Sequence, residues 1–520
     1  MVRPMRFELP GLVCHMKDWG QERKSNRRFT LICFFLILVM PLCGQDEASI
    51  GSSQQESMLR IAEPLDSIVA DLKNFIAKYR IEENIPGVGI ALLYQGKIAW
   101  AEGFGVANAW SREPVTANTN FEVASISKVV TAYMALRLVD EGKLAIDRPL
   151  QSYLRKEWLP RSAYRDSVTL QHVLSHSSGL GKLSRDLMFR PGTAYYYAAN
   201  GFIFAKEVLE EVTGEPFEEL ARRLVFAPLG MVNSSFIKKD GLTPLTASGH
   251  VRAVIPVVLF GILFAAAFLV IVLLGLIIMR LLRKSWRLKR SDIVMFVGIA
   301  FVLVAAALFI ILGKVSFSEF AWLSSMCGFV SLALFLSLFY AARGFIVKKY
   351  PQKKGRQRVL GSAMAALIIA AIFLLATGIR NLPVPKWPAY KASPAGTLRT
   401  SAKELALFMN EISKPRMLKK ETAEYLRTPR IKLSDDLSWG MGPGIFYSAE
   451  GYALWQWGQH IDFQSIMIVY PEHDFGVVVC TNNDLMNPDV AARIAQRALG
   501  GSIDPILRAI HLQYDYARSD

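Results

Sequence analysis

Cysteine is scarce in this chain. Of five in 520 residues, Cys14 lies in a basic N-terminal tail, Cys33, Cys43 and Cys327 lie in or beside apolar runs, and only Cys480 is elsewhere. One thiol builds no disulfide framework, so an exported part must rely on core packing. Several chemistry-bearing patterns are missing as well. There is no G-x-S-x-G, no P-loop, no H-E-x-x-H and no C-x-x-C. These absences set aside the α/β-hydrolase elbow, a Walker phosphate cradle, helical zinc sites and dithiol redox chemistry. Disorder is excluded by 30 Phe, 17 Tyr and 10 Trp, too many buriable groups for a chain without a core.

Acid is short relative to base, 44 against 60, for a net charge of +16. The excess sits in three places. Residues 1–28 carry seven bases and three acids, 280–292 six bases and Asp292, and 343–358 seven bases and no acid. Those clusters account for the whole net charge, and each abuts an apolar run. The positive-inside rule explains that pattern better than nucleic-acid binding, which is set aside. Four runs, 253–279, 293–313, 320–342 and 359–379, hold no Asp, Glu, Lys, Arg or His, and each is long enough to cross a hydrocarbon core as a helix. A shorter run at 29–44 follows Arg27 and Arg28 and reads as a signal-peptide core or a signal anchor. With the basic loops 280–292 and 343–358 inside, everything before 253 and after 380 falls on the outer side. The basic tail before 29–44 demands the same orientation.

The exported residues are expected to form one α/β domain split by the bundle. Its first part (60–250) offers strands at Gly87–Tyr94 and Lys97–Gly105 joined by Gln95-Gly96, then a helix over 125–142 ending at Gly142. The second part (386–505) offers strands at Gln464–Tyr470 and Phe475–Thr481 and a helix over 489–499. Two strands make no independent core, so they should complete the sheet begun earlier. Residues 1–45 are the tail with its leader or anchor, 251–385 the inserted membrane region, and 506–520 a C-terminal tail.

One catalytic pattern remains, Ser125-Ile126-Ser127-Lys128. Three residues apart on a helix, the Lys128 amine can reach the Ser125 hydroxyl, a weak nucleophile that needs a base at hydrogen-bond distance. A second match, Ser235-Phe236-Ile237-Lys238, has no long helix after it and reads as chance. His172 and His176, four apart, lack a third ligand or a nearby acid, so a structural role is expected rather than a metal.

The surroundings of Ser125 carry more information. Ile85-Pro86-Gly87-Val88-Gly89, FEVASISK (121–128), HVLSHSSGL (172–180), APLGM (227–231) and SPAGTLRTSAKELALFM (393–409) occur in one order. As a set they resemble the class C β-lactamase and penicillin-binding-protein superfamily of serine hydrolases. The resemblance implies an α/β (α+β) β-lactamase/transpeptidase-like domain: an antiparallel sheet flanked by helices, with a helical subdomain. It implies Ser125 as acylated nucleophile, Lys128 as its partner and Tyr197 as proton shuttle. The family's Y-x-N falls on Tyr197-Ala198-Ala199, with Asn200 one residue late for substrate-amide binding. Its K-T-G or H-x-G falls on Gln456-Trp457-Gly458, and the second oxyanion donor is the Gln459 backbone N–H. Gly458 is retained, where a side chain would obstruct substrate along the strand. Neutral Gln456 replaces a cation that meets substrate carboxylates, which shifts the expected substrate toward neutral esters, amides or internal peptide bonds. Trp455, Trp457, Tyr195 and Tyr196 are expected to pack or to wall an apolar cleft. No metal or organic cofactor is implied. The expected partners are a small-molecule or peptide substrate and the bilayer, with oligomeric state open. The expected location is the bacterial cytoplasmic membrane, multi-pass, with the catalytic domain on its extracytoplasmic side. A non-catalytic sensor or scaffold and a transporting bundle remain as rival readings.

Overall fold

The computed structural model describes residues 59–182, 184–239, 241, 246–251, 381–384, 391–483 and 488–515. The apolar runs 29–44, 253–279, 293–313, 320–342 and 359–379 lie outside these residues. Among the described residues, no helix is long and apolar enough to cross a membrane.

The helices that matter here are α1 (Leu65–Glu82), α2 (Ser127–Asp140), α3 (Ala199–Thr213), α4 (Ala402–Ser413), α5 (Lys420–Arg427), α6 (Val490–Leu499) and α7 (Asp504–Asp515). The strands are β1 (Gly87–Tyr94), β2 (Lys97–Gly105), β3 (Asn120–Glu122), β4 (His250–Val251), β5 (Leu382–Pro383), β6 (Arg399–Ser401), β7 (Ile431–Lys432), β8 (Leu437–Trp439), β9 (Gly444–Ser448), β10 (Gly451–Gln459), β11 (Gln464–Tyr470) and β12 (Phe475–Thr481). Eight of them form one antiparallel sheet in the order β2-β1-β12-β11-β10-β9-β8-β7.

The first and last thirds of the chain therefore build one sheet, as expected. Its seam is β1 against β12, with Gly89 opposite Cys480 and Leu92 opposite Val477. The β1–β2 hairpin turns at Gln95 and Gly96, both at positive φ (51° and 73°), as a two-residue turn matched to strand twist requires. Strand periodicity divides the side chains between two cores. Val88, Ile90, Leu92, Val477 and Val479 pack with Ile68, Leu72 and Ile76 of α1 and with α6 and α7. Ala91, Leu93, Val478 and Cys480 pack on the opposite face with α2 and with Leu405, Phe408, Met409 and Ile412 of α4. The site lies on this second face. Cys480 is wholly buried, and burial pushes its thiol far above its ordinary value, so it is a packing residue rather than a nucleophile.

β4 and β5 flank the expected membrane insertion and pair with each other, His250 opposite Pro383 and Val251 opposite Leu382. The chain thus leaves and rejoins the domain at one point. His250 anchors that root. Its Nε2 accepts from the Ala109 N–H at 3.0 Å and its Nδ1 lies 3.0 Å from the Asn482 carbonyl. Because cross-strand partners can be joined by a two-residue turn, replacing residues 252–381 with Asn-Gly should leave a domain that melts cooperatively and still reacts at Ser125. A product that aggregates or has no melting transition would show that the fold depends on those residues.

Candidate active site

Ser125 is set in place by its neighbours on three sides. It lies in a single 3-10 turn, Ala124–Ile126, rather than in α2, which begins two residues later at Ser127. Ala124 holds φ at +44°, a region costly for a residue with a Cβ and found where surrounding structure over-determines the backbone. The turn is pinned by the Val123 N–H to the Leu398 carbonyl (2.9 Å), by the Ser465 hydroxyl to the Val123 carbonyl (3.0 Å) and by the Leu398 N–H to the Ser127 hydroxyl (3.1 Å).

Lys128 occupies the first turn of α2 and is buried. Its Nζ donates to Ser125 Oγ at 2.8 Å and to the Ala395 carbonyl at 2.9 Å. It also lies 4.9 Å from the centroid of the Tyr197 ring. Burial disfavours the ammonium and lowers the Lys128 pKa to about 7. An amine about half in its neutral form at pH 7 and bonded to a serine hydroxyl meets the requirement for general-base activation of that serine.

Tyr197 stands just before α3 in an aromatic cage. His176 stacks on it at 4.1 Å, Trp457 lies at 5.1 Å and Trp439 at 5.8 Å. His176 has a positive φ of 56°. Burial and then the Lys128 charge push its pKa well below the ordinary value, so it is a neutral plate behind the phenol. The sequence implies a structural role for His176, and nothing in the HVLSHSSGL segment points to its contact with Tyr197. Among the described residues no three His, Cys, Asp or Glu groups are placed to hold a metal. His172 is structural, with Nδ1 capping the short helix that begins after Thr169. Trp439, the other missed residue, carries no local sequence signal. It closes the cage from β8, against Trp455 at 5.6 Å.

Gln456 and Asn200 are not placed as simple substrate binders. Gln456 is fully buried; its Nε2 donates to the Tyr197 hydroxyl oxygen (3.1 Å) and to the Trp457 carbonyl (2.9 Å). It therefore orients Tyr197. Asn200 lies in the first turn of α3, and both N–H donors of its amide hold the preceding loop, at the carbonyls of Gly181 (2.9 Å) and Ser184 (2.8 Å). Only its oxygen is left for a ligand. Trp455 and Trp457 are buried core, not cleft wall. The second motif, at Ser235, is not a site: Ser235 Oγ is 2.7 Å from Glu218 Oε1 inside a buried network.

The reason for glycine at 458 also differs from expectation. A Cβ there would sit 2.0 Å from the Val123 carbonyl oxygen and 2.6 Å from Ser465 Oγ. The glycine is needed for the serine turn to lie flush on β10. β9 pairs with β10 only from Gly451 to Trp455, so the segment Gln456–Gln459 runs on toward Ser125 with β11 as its one strand neighbour in the described sheet.

Comparison with known proteins shows the family. The Beta-lactamase family model matches residues 72–267 and 351–502. The chain belongs to the beta-lactamase family. Among curated relatives of this family, Esterase EstB of Burkholderia gladioli is 28% identical over 194 residues, 31% of this chain and 49% of that protein. A Beta-lactamase of Pseudomonas fluorescens is 28% identical over 193 residues, 34% of this chain and 53% of that protein. The chain thus spans about half the length of these two relatives. Among solved structures, the octameric penicillin-binding protein homologue from Pyrococcus abyssi shares the fold, with TM-score 0.53 and 19% identity over 83% of this chain and 76% of that one. Beta-lactamase-family membership covers both sides of the β4–β5 root, as the single sheet does.

Proposed function

We propose that this protein is a serine hydrolase acting through an acyl-enzyme at Ser125. The observation that carries the reading is the 2.8 Å contact between a buried amine of lowered pKa and the Ser125 hydroxyl. Ser125 Oγ attacks the substrate carbonyl as its proton passes to Lys128 Nζ. The developing oxyanion is met by the N–H groups of Ser125 and Gln459. Collapse breaks the bond to the leaving group, which takes the proton held by Lys128, directly or relayed through the Tyr197 hydroxyl. Water then attacks the acyl-enzyme, Lys128 again accepting the proton, and the carboxylic acid departs with Ser125 restored.

The substrate proposed is a neutral ester, amide or internal peptide bond. Support comes from Gln456, which is uncharged, buried and turned to Tyr197, so that position offers no cation to a carboxylate. D-amino-acid peptides and β-lactams are therefore poorer candidates. The relatives named above include both an esterase and a β-lactamase, so family membership alone leaves this choice open. The bilayer is the second proposed partner. Four spans within 251–385 anchor the domain, basic loops on the cytoplasmic side and Ser125 on the other, with 29–44 as leader or anchor. Support comes from the charge-free runs and their basic flanks.

A fluorophosphonate probe read by intact mass tests the hydrolase assignment. One adduct is expected, on Ser125, and absent from Ser125→Ala. Labelling at another residue, or none, would overturn it. Stoichiometric labelling without turnover of any ester or amide would favour a ligand-binding sensor, a reading to which the engaged Asn200 amide lends some weight.

A further inference from the structure

The two oxyanion donors come from segments far apart in sequence. Ser125 follows β3, and Gln459 ends β10 where β9 no longer pairs with it. Something must hold that strand end at the right distance from the serine turn. Glu122, three residues before Ser125, and His460, the residue after Gln459, meet across this gap: His460 Nδ1 hydrogen-bonds Glu122 Oε1.

Glu122 is the more buried member of the pair, and the His460 side chain is 36% exposed. The Glu122 side chain is 17% exposed, and its second oxygen takes Arg399 Nη2 at 3.0 Å. Arg399 faces Glu122 across the β3–β6 ladder. Burial pushes the Glu122 carboxyl up, but His460 and Arg399 together hold it below its ordinary value. On the other side, the His460 N–H closes the β10–β11 turn on the Phe463 carbonyl at 2.9 Å. His460 is thus held by its backbone to the strand turn and by its ring to the end of β3, just before the serine turn. Its Nε2 edge lies over Gly396, next to the Ala395 carbonyl that receives Lys128. A fourth ionisable group faces the pair. Asp462, in the same turn, is pushed up to about 7 by burial and by the Glu122 charge. It packs on Gly249 at the root of the insertion, where a Cβ would lie within 1.9 Å of Asp462 Oδ2.

We propose that Glu122 and His460 are positioning residues that set the gap between the Ser125 and Gln459 N–H groups. Neither touches the substrate. The inference rests on the hydrolase reading, and it assigns catalysis a contact outside the S-x-x-K, Tyr and Gly458 positions.

The test uses the full-length protein in detergent, with p-nitrophenyl butyrate as substrate and phenylboronic acid as a tetrahedral mimic that places an anionic oxygen between the donors. Glu122→Gln and His460→Leu should each lower kcat about 10-fold or more, since small misplacements at a reacting centre are costly. KM should stay within about 2-fold, and phenylboronic acid binding should weaken in step with kcat. The double variant should be no worse than the worse single one. His460→Gln keeps a donor toward Glu122 and should recover most of the rate, which covers the case of a His460→Leu chain that fails to fold. Unchanged kcat and boronic acid affinity in well-folded variants, or a rise in KM alone, would overturn the clasp while Ser125 labelling stands. An unlabelled wild type would overturn the hydrolase reading, and the clasp with it.

Discussion

Lys128→Met should lower the rate of Ser125 acylation by about 10³–10⁴-fold, the upper range for removing a positioned general base. The amine lies against the Ser125 hydroxyl at 2.8 Å. Its pKa of about 7 also fixes the sign of the pH dependence. If the neutral amine is the base, acylation rises about tenfold per pH unit below 7 and levels off above it. An ammonium acting as acid would give the opposite slope. The variant should lose this dependence along with the rate, which separates loss of the base from loss of the fold. The measurement is the rate of fluorophosphonate labelling between pH 5 and 9; a slope that survives in Lys128→Met would move the titration to another group.

The same substitution should stabilise the protein. A lysine titrating near 7 when folded and near 10.5 when unfolded gives up a proton on folding between those values and is buried charged below them. Each unit of that shift is worth about 1.4 kcal/mol, whereas its two hydrogen bonds return only about 1 kcal/mol each. The unfolded chain binds the extra proton between about pH 7 and 10.5. Stability therefore rises with pH through that window, and the penalty is full below about 7. Lys128→Met should raise the melting temperature most at pH 6 and little at pH 10. Stability given up for a reactive group is the expected trade-off at a catalytic site.

What was legible in the sequence was local. Strand-like runs bounded by turn residues placed β1, β2, β11 and β12 residue for residue, and Gly142 ended α2. The pairing of early and late strands followed because neither set could bury a face alone. Ser125 and Lys128 were legible because three-residue spacing on one helical turn is itself a distance. The rest of the site depends on approaches across hundreds of residues. His176 was within a segment already singled out, but its stacking on Tyr197 needs the turn that follows it to double back. Trp439 comes from a three-residue strand whose neighbours say nothing of the site. Gln456 has the motif position of a substrate-binding cation, and only three-dimensional packing turns its amide toward Tyr197 instead. Glu122 and His460 are 338 residues apart, and no periodicity links them.

Gly458→Ala makes the second large prediction, because here one methyl group meets backbone. The added Cβ would lie 2.0 Å from the Val123 carbonyl oxygen and 2.9 Å from its carbon. A flexible side chain could swing away from such a clash, but the Val123 peptide cannot. It is held by Leu398 on its N–H and by Ser465 on its carbonyl. The serine turn must therefore lift off β10, which widens the space between the Ser125 and Gln459 donors. Loss of one oxyanion contact costs about 10²–10³ in rate, and overpacking about 1–3 kcal/mol in stability. Acylation should fall by that factor while the chain still folds. Adding Ser465→Ala removes the lesser clash, at 2.6 Å, but not the carbonyl, so it should restore little. Full recovery in that double variant would place the obstruction at the serine hydroxyl. A Gly458→Ala protein that labels at the wild-type rate would mean that β10 need not lie flush on the turn, and that the second donor comes from elsewhere.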